Sequence, residues 1–176
     1  MSSPVAILAV VALLIAINGL YVAAEFSAVS ARRPRLAQLA DAGSSGARTI
    51  LDIVSSPPKL DAYIAACQVG ITASSLLLGF YAQDRVIAWA EPYLAQLTNE
   101  ARSIVQPAAS VGILLSLTVL QVILGELIPK NIGIQYPERL ALWTVLPMRW
   151  SLLFFRPMIW PFNGSGQVLM RLLGVR

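Results

Sequence analysis

The sequence predicts an all-α integral membrane protein: three transmembrane helices with cytoplasmic juxtamembrane helices, and the N-terminus outside. Two observations carry this. Of its 176 residues, 57% are hydrophobic and 12% charged, with a mean hydropathy of +0.69; roughly a quarter of the residues of an ordinary soluble domain are charged. The shortage is also concentrated. Residues 1–24, 62–83 and 103–125 contain no Asp, Glu, Lys or Arg, and about 20 apolar helical residues suffice to cross ~30 Å of hydrocarbon. Buried helices of soluble proteins seldom reach that length.

The first span is expected over about residues 4–30. No basic residue precedes it, and its apolar part exceeds the roughly 7–15 residues of a signal-peptide core, so it reads as a retained span. Residues 31–56 follow as cytoplasmic helices, with Leu36, Leu39, Ile50, Ile53 and Val54 at helical spacing and an interruption at Gly43-Ser44-Ser45-Gly46. Pro57-Pro58 launches the second span, about 59–82, because a first helical turn loses nothing by lacking an N–H. Residues 86–97 suit a short amphipathic helix outside, anchored by Trp89 and Tyr93. The third span covers about 104–128. Beyond it, 137–173 reads as two helices lying in the cytoplasmic interface, broken at prolines and carrying Trp143, Trp150 and Trp160 among arginines. The alternative, a fourth span over 140–155, would have to carry Arg149 into the membrane at about 2.5–3.5 kcal/mol.

Charge sets the orientation. Of the 13 Lys and Arg residues, all but Arg85 and Arg102 fall in the segments after the first and third spans, and such an excess marks the cytoplasmic side. Basic residues thus flank spans instead of forming a nucleic-acid patch. With no histidine and a single cysteine, Cys67, the chain lacks an intrachain disulfide, a thiolate metal cluster and a Ser-His-Asp arrangement. No enzyme activity is expected.

Chemistry concentrates in a few polar positions within the spans. Glu25 and Glu126 lie near span ends, where ionisable groups are expensive and by default functional. Glu25 could equally snorkel or pair with Arg32 or Arg33. Glu126 stands in Gly125-Glu126-Leu127-Ile128-Pro129-Lys130. Pro129 has no N–H, which releases the carbonyl of Gly125 from the helical ladder. The competing reading is a plain helix end with Glu126 paired to Lys130. Asn18, Gly19, Ser27 and Ser30, then Thr72, Ser74 and Ser75, then Ser116, Thr118 and Gln121 add small or polar groups. Singly these suit helix packing. Together with Glu126 they favour a hard cation held by oxygen, Mg²⁺, Ca²⁺ or Na⁺. Gly70, Ala73, Gly79 and Gly112 are candidate close-approach points for a second copy.

Four motifs in order, Asn18-Gly19-Leu20-Tyr21-Val22-Ala23-Ala24-Glu25-Phe26-Ser27, Arg32-Arg33-Pro34-Arg35-Leu36, Gln68-Val69-Gly70-Ile71-Thr72 and Gly125-Glu126-Leu127-Ile128-Pro129-Lys130, closely resemble the transmembrane domain of the CorC/CNNM magnesium transporters. The resemblance covers almost the whole chain, and its last motif is the most specific. It implies a homodimer in the plasma membrane that exports Mg²⁺ in a Na⁺-dependent manner. It also implies cytosolic CBS domains after this segment, so that the sequence is a truncated part of a longer chain. Carried over, the ion would be held by Ser27, Thr72 or Ser75, the Gly125 carbonyl and Glu126. A dimeric, non-transporting membrane anchor or Mg²⁺ sensor for cytosolic domains is the alternative.

Overall fold

The computed structural model describes residues 3–94 and 99–172, and every regular element among them is a helix. Helix α1 (Pro4–Ser30) begins at Ser3, whose hydroxyl accepts the Ala6 N–H at 3.3 Å, with Pro4 in the first turn. Two short helices follow, α2 (Arg33–Asp41) and α3 (Ser45–Ser55). Between them Gly43 adopts φ +96°, which an L side chain would resist, and Ser44 caps α3 through the Ala47 N–H.

Proline sets the sharp corners. Ser56, at φ −115° and ψ 110°, precedes Pro57 and the long helix α4 (Pro57–Leu94). A residue before proline is pushed out of the helical region, which ends one helix where the next begins. Tyr136 does the same at the later junction. Before it, α5 (Asn99–Gln121) runs through a π-helical segment (Val122–Leu127) into α6 (Ile128–Gln135) without a bend into loop. Helix α7 (Pro137–Leu172) is the last of the described elements.

Three of these stretches are long and apolar enough to cross a membrane: Pro4–Ser30, Pro57–Ala82 and Ser103–Gln135. The all-α, three-span expectation therefore holds. Two local expectations do not. The short outer helix is the continuation of α4 as far as Leu94, and Pro92 lies too near its end to interrupt it; the Tyr93 side chain and residues 95–98 lie outside the described residues. The tail is one helix instead of two. Ala141, Thr144, Val145 and Met148 are buried in the helix around Pro147, and that packing outweighs the single backbone bond the proline removes.

Helix α1 is the axis of the assembly, touching α4, the π segment, α6 and α7. One apolar core joins Ala24 and Ala28 to Leu36, Ile50, Val54, Tyr63, Cys67, Val145 and Met148. A smaller one joins Val11 and Ile15 to Leu78 and Ala82. Between them, along α1, lies the polar seam.

Candidate cation site

The seam is built on Asn18, which is 1% exposed in the middle of the first span. A buried amide in such a setting must find partners, and Asn18 finds them on two other helices. Its Nδ2 donates to the carbonyl of Gly125 at 3.1 Å. Its Oδ1 accepts from the Ser74 hydroxyl at 2.9 Å and lies 3.3 Å from that of Ser75. The Gln121 amide in turn donates to Ser75. Three spans are thereby stitched at one level.

The backbone explains why a carbonyl is on offer there. Residues 122–127 are wound as a π-helix, in which the Ile128 N–H reaches back to the carbonyl of Ile123. Such bulges are rare and gather at functional sites. Four residues beyond Gly125 stands Pro129, which has no proton to return to the Gly125 oxygen. The Asn18 amide supplies one from across the seam.

Close approach demands small residues on both sides. A methyl group on Gly125 would lie 3.0 Å from Asn18 Nδ2 and 3.5 Å from the Ile15 carbonyl. One on Gly19 would lie 3.0 Å from the Pro129 ring. Glycine at both positions lets the two backbones touch.

The oxygens outnumber the protons. The one proton of Ser74 faces three acceptors, Gly70 O at 2.8 Å, Asn18 Oδ1 at 2.9 Å and Ile71 O at 3.0 Å. Bonding to the Gly70 carbonyl is the usual habit of a helical serine. The approach of Asn18 is what sequence-local geometry does not require. Among the described residues, no three Asp, Glu, His or Cys side chains come together. The seam's chemistry is that of neutral oxygens.

The predicted ligands are distributed unevenly about this seam. Ser75 and the Gly125 carbonyl are in it. Glu126 is the next residue along, half-buried, with no hydrogen bond or ion pair among the described residues. Its alternative partner, Lys130, instead holds its ammonium 4.8 Å over the Phe26 ring. Thr72 is exposed. Ser27 is fully buried but donates to Ala24 O of its own helix at 3.1 Å and packs against Gly133 of α6. Nine residues separate it from Asn18 on α1, a rise of about 13 Å. Glu25 is half-buried, with no ion-pair partner among the described residues. Asn18, Ser74 and Gln121 are the seam residues absent from the predicted ligand set. Their signal was an amide or hydroxyl inside a charge-free run.

A three-span helical membrane protein with a neutral oxygen cluster at a π-helical break is the class these features define. The chain belongs to the cyclin M transmembrane N-terminal domain (CNNM) family, which it matches over residues 8–176. It is 35% identical to the UPF0053 protein YugS of Bacillus subtilis over 92% of this chain and 37% of that protein. It is 37% identical to the uncharacterized protein Rv1841c of Mycobacterium tuberculosis over 93% of this chain and 45% of that one. A polyamine export protein of Haemophilus influenzae is 30% identical over 96% of this chain and 38% of its own length. The chain thus spans less than half of the curated relatives it matches.

Proposed function

We propose that this domain binds and moves Mg²⁺ across the plasma membrane, exporting it in exchange for the inward drive of Na⁺. In this reading it works as a homodimer, with its N-terminus outside and its C-terminus, followed by CBS domains in the full-length chain, in the cytoplasm. The observation that carries the reading is the meeting of Asn18, Ser74, Ser75 and the Gly125 carbonyl beside Glu126. Mg²⁺ takes oxygen ligands in near-octahedral geometry at about 2.0–2.1 Å and gives up its water reluctantly. Four neutral oxygens from three helices replace part of that shell, and one carboxylate offsets part of the charge. Modest affinity follows, as export requires.

The seam also suggests how the ion would enter. The oxygens are engaged with the Asn18 amide and with each other, so a cation gains them only when those bonds are exchanged. Rotating the Asn18 amide by half a turn would present its oxygen, in place of its NH₂, toward Gly125. Ser27 and Thr72, away from the seam, would then serve the path or the Na⁺ coupling more naturally than the bound Mg²⁺.

The test is Glu126→Gln in the purified, reconstituted protein. It should lose Mg²⁺ binding, read by calorimetry, and Mg²⁺ flux into vesicles, while the same oligomer elutes in detergent. Parental binding and flux in this variant would rule the site out. A second reading, export of a polyamine, draws on the name of the Haemophilus influenzae relative. Flux of spermidine without flux of Mg²⁺ would favour it. An anchor that transports nothing would assemble normally and show neither.

A further inference from the structure

Helix α7 is apolar on two faces, and only one of them is used inside the chain. Ala141, Thr144, Val145 and Met148 are buried. On the opposite side Trp143, Leu146, Trp150, Leu153 and Phe154 stand out, Trp143 being 85% exposed. Arg149 lies at the edge of this outer face. It forms a groove of about 300 Å³ with Leu146, Trp150 and Leu153, and it has no ion pair or hydrogen bond among the described residues.

Two contacts fix where this face lies along the span. The Arg32 N–H at the end of α1 donates to Glu138 Oε1 at 3.4 Å, and the Tyr21 and Ser151 hydroxyls meet at 2.9 Å. Between Glu138 and Ser151, α7 therefore runs back along α1, antiparallel, from its basic end toward its charge-free run. Arg149 is two residues from Ser151, so along the helix it branches within about 3 Å of the residue whose hydroxyl meets that of Tyr21. A guanidinium rooted at that depth must reach the headgroup zone or meet an anion. The tryptophans beside it are the side chains that settle at this boundary.

We propose that this groove is a binding site for an anionic phospholipid. The Arg149 guanidinium takes the headgroup phosphate through paired N–H bonds, and Leu146, Trp150 and Leu153 take the upper acyl chain. The charge complementarity decides the occupant: a bilayer supplies an apolar chain and a phosphate in one molecule. The proposal is independent of what the seam transports.

The test uses protein carrying Trp89→Phe and Trp160→Phe, so that emission comes from Trp143 and Trp150. It is reconstituted in equimolar phosphatidylcholine and phosphatidylglycerol, with bromine on the chains of one lipid or the other. Brominated phosphatidylglycerol should quench with about fivefold preference, the effect of one basic residue near an anionic surface. Arg149→Gln should bring the ratio close to parity, whereas Arg149→Lys, which keeps the charge but not the paired bonds, retains part of it and Arg48→Gln on α3 leaves it unchanged. An unchanged ratio in Arg149→Gln overturns the proposal, as does an equal loss in Arg48→Gln. Failure of either lipid to quench would mean that a second copy or another protein covers the face, and would overturn the proposal. Abolition of the preference by inorganic phosphate would make this a site for the free ion, and would also refute the proposal.

Discussion

Helix α1 and the third span both contain long charge-free runs, residues 1–24 and 103–125, yet they live in different surroundings. Along α1, Ile7, Val11, Ile15, Asn18, Val22, Ala23, Ala24, Ser27 and Ala28 are buried. Among the described residues 103–135, only Gly125 and Gly133 are. Hydrophobicity does not separate the two, because lipid is as apolar as leucine. Small and hydrogen-bonding side chains do. α1 has them at its centre and is surrounded; the third span has them at the seam and at Gly133, and packs against α1 at both places. The remaining faces of the third span, with Gly112 open among exposed Val111, Leu115 and Val119, are left to lipid or to a second copy.

If α1 is the axis, disturbing its small-residue contacts should do the greatest damage. Gly70 of α4 is the sharpest case. A methyl group there would come within 2.5–2.6 Å of the Tyr21 ring, and that ring is tethered by its hydroxyl to Ser151. Gly70→Ala should cost about 1–3 kcal/mol, the usual penalty for overpacking. It should appear as a lower thermal midpoint in detergent. Combining it with Tyr21→Leu should recover part of the loss, since the two sites share one contact. If Gly70→Ala is neutral, α1 and α4 do not approach as closely as described. This contact also corrects the reading of Gly70 as a point of approach for a second copy: the position is filled from within the chain.

The next effect concerns the seam. Asn18→Ala removes three polar contacts at once and leaves the Gly125 carbonyl without its donor. Interhelical hydrogen bonds in membranes average about 0.6 kcal/mol, so a loss of about 1–2 kcal/mol is expected, together with Mg²⁺ binding weakened at least tenfold in the proposed site. A variant that binds Mg²⁺ normally would leave Asn18 as structural glue.

Much of the architecture was legible because it rests on local rules. Charge-free runs marked the spans, and the residues before Pro57 and Pro137 ended helices through clashes that any chain suffers. Pro129 pointed to an unclaimed carbonyl on Gly125. What was not legible depends on which helix faces which. Period and composition place Asn18 inside a span, but only the packing of α1 against α4 and the π segment turns it into a hub. Ser27 and Ser75 looked comparable because depth along a span is set by where each helix starts and how it tilts. The outer helix and the divided tail went astray for a related reason. Pro147 is a breaker in isolation, and buried neighbours hold the helix across it, while Pro92 lies too near the end of α4 to part the outer helix from it.

The smallest effect expected separates three adjacent hydroxyls that the sequence left equivalent. Ser74 and Ser75 lie against Asn18, while Thr72 is exposed. A helix places residues two apart about 200° around its axis, so Thr72 and Ser74 cannot serve the same seam. Thr72→Ala should change stability by less than about 0.5 kcal/mol, as exposed substitutions do, and leave Mg²⁺ affinity within measurement error. Ser75→Ala should weaken that affinity in part and free the Gln121 amide. Titrating both variants by calorimetry against the parent gives the order directly. Should Thr72→Ala prove the more damaging, the transporting state must rotate α4 from the arrangement described, and the seam on Asn18 would be a lock between states instead of the place where the ion rests.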